Sequence, residues 1–101
     1  MSAYVIVDLV VTDPEPYAEY RRLAPPTMVP FGGRYLARGG EVTLLEGDFE
    51  PHRMVILEFP DADSARAWYA SEAYQRILPI RTTTTDTQLL LILEGVTAPV
   101  I

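Results

Sequence analysis

Every strand-like segment of this chain is apolar at both odd and even positions, so a sheet built from them needs cover on two faces. Tyr4 to Val11 is a dense β-branched run closed by Thr12-Asp13-Pro14. Arg34 to Arg38, framed by Gly32-Gly33 and Gly39-Gly40, reads as a second strand, and Glu41 to Glu46 resumes extended character. Arg53 to Phe59 is the third long strand, stopped by Pro60, and Gln88 to Glu94, bounded by Gly95, is the last.

Helical signals fill the gaps. Asp13 caps a helix opened by Pro14, which places Tyr17, Tyr20 and Leu23 or Ala24 on one face and ends at Pro25-Pro26. Asp61 or Asp63 caps a second helix whose buried face carries Ala62, Ala65, Trp68 and Tyr69. Ser71 caps a short third segment up to Leu78 that Pro79 interrupts, and the threonines at 82–85 are too β-branched to continue it. The order strand, helix, strand, strand, helix, strand is the split β-α-β arrangement termed ferredoxin-like, an α+β antiparallel sheet with helices on one face. A chain of 101 residues makes one domain, here 1–95 with a tail at 96–101, and has no third layer left. The sheet of a second subunit would cover the remaining face, so a homodimer is expected.

Composition removes whole function classes. The formal charge is −6, from 14 acidic against 8 basic residues, which disfavours nucleic acid and anionic membrane surfaces as partners. All eight basic residues are arginines, so no amine is present for a Schiff base, and the lack of cysteine removes thiolate chemistry. With His52 the single histidine, zinc, iron and haem sites are not expected, and no cofactor is called for. The longest apolar run, Leu89 to Leu93, is too short to span a bilayer, and the start lacks a signal-peptide pattern, so a cytoplasmic location is expected.

Several stretches together resemble a known family. They are Ala3 to Val7, Asp13-Pro14, Pro25-Pro26-Thr27, Gly32 to Gly40, Leu45-Glu46-Gly47, Leu57 to Pro60, Ala67-Trp68-Tyr69 with Ser71, Tyr74-Gln75, Arg81 and Glu94-Gly95. The chain resembles the small bacterial proteins of domain of unknown function 1330, in the dimeric α+β barrel superfamily. The resemblance implies a ferredoxin-like protomer whose sheet meets its twin in a barrel, with a pocket between sheet and helices. It implies no particular reaction. Superfamily relatives include cofactor-free monooxygenases, cyclases and isomerases, so the fold leaves the chemistry open.

The residues themselves offer candidates. Arg38 stands before Gly39, where a missing side chain lets a ligand or another backbone come close while the guanidinium forks onto a carboxylate; the alternative is a buried pair with Asp8 or Glu58. Asp8 and Glu58 interrupt apolar strands, and a buried carboxylate needs a partner or a raised pKa that suits general acid–base work. Tyr35, Tyr74 and Tyr20 belong to an aromatic set suited to stacking a planar ligand and fixing its oxygens, whereas Trp68 reads as core. Arg81, with free N–H groups near Ser71, would complete a carboxylate-sized site. His52 sits in a turn beside Pro51, where a solvated role is expected.

The function expected is a small cofactor-independent enzyme for an aromatic, enol or carbonyl compound. Glu58, Asp8 and Tyr35 are its candidate catalytic groups, and Arg38, Gly39, Tyr74, Arg81 and Tyr20 bind the anionic or aromatic substrate. The alternative is a non-enzymatic homodimer that binds a small acid or a protein partner.

Overall fold

Alternation along two central strands sets the architecture. In the computed structural model, which describes residues 1–96, β1 (Ala3–Val11) pairs antiparallel with β3 (Arg53–Phe59) and with β4 (Thr85–Glu94), while β2 (Arg34–Arg38) pairs with β3. The order β2-β3-β1-β4 is the ferredoxin-like sheet. Val5, Val7 and Leu9 of β1 and Val55, Leu57 and Phe59 of β3 point to one face, where they pack on α1 (Pro14–Met28), α2 (Ala62–Ala70) and α3 (Glu72–Thr84). Tyr4, Ile6 and Asp8 alternate to the opposite face, opposite Glu58, Ile56 and Met54, and β4 adds Leu91 and Leu93 there, 43% and 54% exposed. No helix of the described residues covers this second face. The expected tail beyond Val96 lies outside the described residues.

Capping follows the sequence in part. Asp61 accepts from the Ser64 N–H at 2.7 Å, and the Ser71 hydroxyl both accepts from the Tyr74 N–H at 3.2 Å and donates to the Trp68 carbonyl at 2.7 Å, which closes α2 and opens α3 at one residue. Asp13 holds the cap position of α1 without a side-chain bond.

Three expectations need correction. First, α1 does not stop at Pro25-Pro26 but runs through them to Met28. Pro25 has no N–H for the Arg21 carbonyl, and the Arg38 guanidinium supplies the missing donor at 2.8 Å, so a tertiary contact offsets the local cost of proline. Second, the threonine run is helical to Thr84, and α3 also passes through Pro79. The hydroxyls of Thr83, Thr84 and Thr85 donate back to the carbonyls of Pro79, Ile80 and Arg81 at 2.8, 2.6 and 2.6 Å, and β4 begins at Thr85 rather than Gln88. Third, Glu41 to Glu46 forms no strand. The Gly39 N–H donates to the Met54 carbonyl at 2.8 Å, a last step of the β2–β3 pairing, and the chain then runs without strand structure to β3.

Candidate functional site

Tyr17, Arg21, Ala24 and Met28 recur every three or four residues along α1 and face the sheet across a cavity. From the sheet side Tyr35 and Arg38 of β2, Arg53, Val55 and Leu57 of β3, and Val7 and Leu9 of β1 close it. Tyr20, Trp68, Tyr74 and Arg81 form its inner end. The enclosed space is about 40 Å³, room for a water-sized group by the roughly 10–15 Å³ such a group needs. Arg21 and Arg38, at its outer wall, are exposed.

The charge distribution around this cavity is one-sided. Arg22, Arg34, Arg66 and Arg76 are exposed and pair with Glu19, Glu58, Asp63 and Glu72. Arg21, Arg38, Arg53 and Arg81 have no carboxylate partner among the described residues, and all four line the cavity. No carboxylate lines it with them. Buried guanidinium without a counter-charge is expensive, and Arg81 is only 5% exposed.

Aromatic rings and phenols organise the arginines. Arg38 lies over the Tyr35 ring at 4.3 Å, and Arg53 donates to the Tyr17 hydroxyl at 3.2 Å. At the inner end Arg81 donates through Nε to the Tyr74 hydroxyl at 3.3 Å and through Nη1 to Thr87 Oγ1 at 2.7 Å, while the Tyr74 and Tyr20 hydroxyls are 2.8 Å apart. Trp68 packs against Tyr74 with ring centroids 4.3 Å apart, so this core residue is also a wall of the cavity. Burial pushes the Tyr20 phenol far above the ordinary tyrosine range, with the neighbouring Tyr74 adding to the rise. Burial likewise raises Tyr35, opposed by the Arg38 charge. Both phenols therefore keep their protons at neutral pH.

The remaining candidates are elsewhere. Asp8 and Glu58 lie on the opposite face of the sheet, because the period of two turns even-numbered residues away from the helices. Asp8, fully buried, accepts from the His52 backbone N–H at 2.8 Å and lies 3.0 Å from His52 Nδ1, so His52 is the exposed loop residue expected and is in addition tied to β1. Glu58 accepts from Arg34 Nε at 2.8 Å, and this bond holds its carboxyl below the ordinary glutamate range. Arg38 pairs with neither acid. Ser71 and Arg81 stand at opposite ends of α3, so they do not share an anion site. Gly39 does not line the cavity, since the close approach it permits is filled by Arg53: a Cβ there would come within 2.3 Å of Nη1.

Gly39 also has φ +68°, a left-handed backbone that disfavours side chains by roughly 1–2 kcal/mol. Gly39→Ala is expected to destabilise the protein by about that much and to displace Arg53 from Tyr17. Chemical denaturation of Gly39→Ala with and without Arg53→Ala checks this, because the steric part should vanish in the double variant. Equal costs in both backgrounds would assign the whole effect to the backbone.

Arg21, Arg53 and Tyr17 were not among the site candidates. The three-four spacing of Tyr17, Arg21, Ala24 and Met28 is the signal that places the first two on the inward face. A second, larger space of about 350 Å³ between α2 and β4 is lined by Val5, Ala65, Trp68, Tyr69 and Leu90 to Ile92. It contains no charged side chain to orient a ligand, so the arginine-lined cavity is the candidate site.

A family model for domain of unknown function 1330 matches residues 2–96. The chain belongs to this family. No curated protein matches it in sequence. Among solved structures it is similar to a protein of unknown function from Rhodopseudomonas palustris, RPA0582, with 19% identity, TM-score 0.74, and coverage of 96% of this chain and 84% of the other. It is also similar to SnoaB, a cofactor-independent oxygenase from Streptomyces nogalater, with 11% identity, TM-score 0.64, and coverage of 96% and 95%. HapK from Hahella chejuensis aligns at 9% identity and TM-score 0.60 over 98% and 97% of the two chains. At these identities the likeness establishes the fold of this DUF1330 protein. No helix among its described residues is long and apolar enough to cross a membrane.

Proposed function

We propose that this DUF1330 protein is a cofactor-independent enzyme that acts on a small anionic aromatic, enol or carbonyl compound held between its sheet and helices. One observation carries the reading: the four arginines that lack a carboxylate are the four that line the cavity. In a chain of net charge −6 these four converge on one space, and for the buried Arg81 the absence of a counter-charge carries a desolvation cost that an anionic ligand would relieve. Charge developing on an enolate or phenolate oxygen would be stabilised by the guanidinium groups and phenol donors around it. With Asp8 and Glu58 on the far face, proton transfer in the cavity falls to phenols, with Tyr35 and Tyr20 the candidates that reach its space. The exposed Arg21 and Arg38 form the outer wall of the cavity, the side on which a ring-sized substrate would have to open it. SnoaB's description as a cofactor-independent oxygenase supports this class of activity for the fold.

The exposed leucines of the open sheet face support a homodimer, which light scattering tests as a mass twice 11.3 kDa. A binding role without turnover has its own support. No carboxylate or imidazole lines the cavity to act as a strong base.

The test is a thermal-shift screen with matched aromatic acids, phenols and their neutral analogues, followed by mass spectrometry of whatever binds. A ligand at about 100 times its Kd adds about 2.7 kcal/mol, equivalent to roughly 4–8 °C per kcal/mol at this chain length. Anionic compounds are expected to raise the melting temperature and neutral analogues to do little. Equal shifts from both would remove the arginines' role, and binding with no product would favour the non-enzymatic reading.

A further inference from the structure

The direction of the hydrogen bonds at the inner end of the cavity follows from one group. Guanidinium only donates, so Tyr74 Oη accepts from Arg81 Nε. The Tyr74 side chain is fully buried, and its own proton needs an acceptor. Among the described residues the acceptor in reach is Tyr20 Oη, 2.8 Å away. Tyr74 therefore donates to Tyr20, and the Tyr20 proton is left with no acceptor among the described residues. Tyr20 is half-buried and lines the cavity, so that proton is available to whatever the cavity holds.

We propose that Tyr20 is the ligand-facing end of a one-way chain, Arg81 to Tyr74 to Tyr20, that selects a phenolate or enolate oxygen over its protonated form. The inference rests on reading the space as a small-molecule pocket. A chain headed by a fixed cation polarises each hydroxyl in turn, so the last donor is strengthened toward an anion more than toward a neutral oxygen. Tyr20 stays protonated, since its burial disfavours the phenolate. Arg81 and Tyr74 are then positioning residues, and Tyr20 is the group that touches ligand.

The probe is 4-nitrophenol, whose phenolate absorbs in the visible, with nitrobenzene as the counterpart that lacks the oxygen. Bound to the wild-type protein, 4-nitrophenol is expected to ionise at lower pH than when free. Tyr20→Phe is expected to weaken phenolate binding about tenfold or more and to return the bound ionisation toward the free value, with nitrobenzene affinity unchanged. Tyr74→Phe, which keeps the Tyr20 hydroxyl but disconnects it from Arg81, should lose part of the same shift, and it keeps the test decisive if one variant fails to fold. Tyr4→Phe, on the opposite face, should change nothing. If Tyr20→Phe binds and ionises the probe like the wild type, the donor chain is overturned while the pocket stands. If neither probe binds the wild-type protein, the pocket reading itself is overturned, and this inference with it.

Discussion

Trp68→Ala is expected to be among the most destabilising single changes in the protein, costing roughly 3–5 kcal/mol as large-to-small aromatic truncations in cores do. Trp68 is 2% exposed and packs on Phe59 and Tyr74 with centroids 5.3 and 4.3 Å apart, so one ring joins α2 to the sheet and to α3. Its indole Nε1 also donates at 3.0 Å to Thr27 Oγ1, which in turn donates at 2.6 Å to the Ala24 carbonyl. That bond ties α2 to the turn of α1 that contains the two prolines. The two contributions separate in Trp68→Phe, which keeps a ring and removes the donor. Its expected cost is about 1 kcal/mol, since Thr27 retains its own bond to Ala24. Thermal unfolding of the two variants measures this, with a fall of roughly 15 °C or more expected for alanine. A loss for phenylalanine close to that for alanine would place most of the stabilisation in the hydrogen bond.

The four strands were legible because their signal is local, whereas strands apolar at both odd and even positions left their faces unassigned. β3 occupies the residues its pattern marks, and β1 begins one residue before the expected Tyr4. Carboxylates at Asp8 and Glu58 in apolar strands correctly announced that partners were needed. The identity of those partners was not readable: His52 is 44 residues from Asp8, and Arg34 is 24 from Glu58. The failures share a cause. Pro25 and Pro26 end a helix only if nothing else serves the carbonyls they abandon, and Arg38, 17 residues from Arg21, serves one. Tyr35, Arg38, Tyr74, Arg81 and Tyr20 were visible as candidates and do meet at one cavity, whereas the alternation of β1 and β3 puts Asp8 and Glu58 behind it. Composition counted the arginines, but only the fold divides them into four paired on the surface and four around the cavity without a carboxylate among the described residues.

Arg81→Met is expected to separate stability from ligand affinity. The guanidinium is nearly buried and faces no carboxylate, so its desolvation is offset only by its bonds to Tyr74 and Thr87. Methionine fills much of the same volume without the charge. It forgoes two hydrogen bonds from a charged donor, worth about 1.5–3 kcal/mol each, while removing a desolvation penalty of several kcal/mol, and the two effects nearly cancel, so the change in stability should stay within about 1 kcal/mol. Binding of a small aromatic carboxylate such as benzoate should weaken far more. Without the guanidinium the Tyr74–Tyr20 donor chain loses its cation and a bound anion loses its nearest buried positive charge; a charge-assisted hydrogen bond contributes about 1.5–3 kcal/mol, so the loss should approach roughly 10- to 100-fold in affinity. Denaturant unfolding and calorimetric titration on the same preparations give the two quantities. A structural arginine would produce the reverse pattern, with a loss of stability of 3 kcal/mol or more and affinity unchanged in the fraction that remains folded. The predicted pattern is that of a residue whose charge serves a bound anion and adds little to the stability of the empty protein.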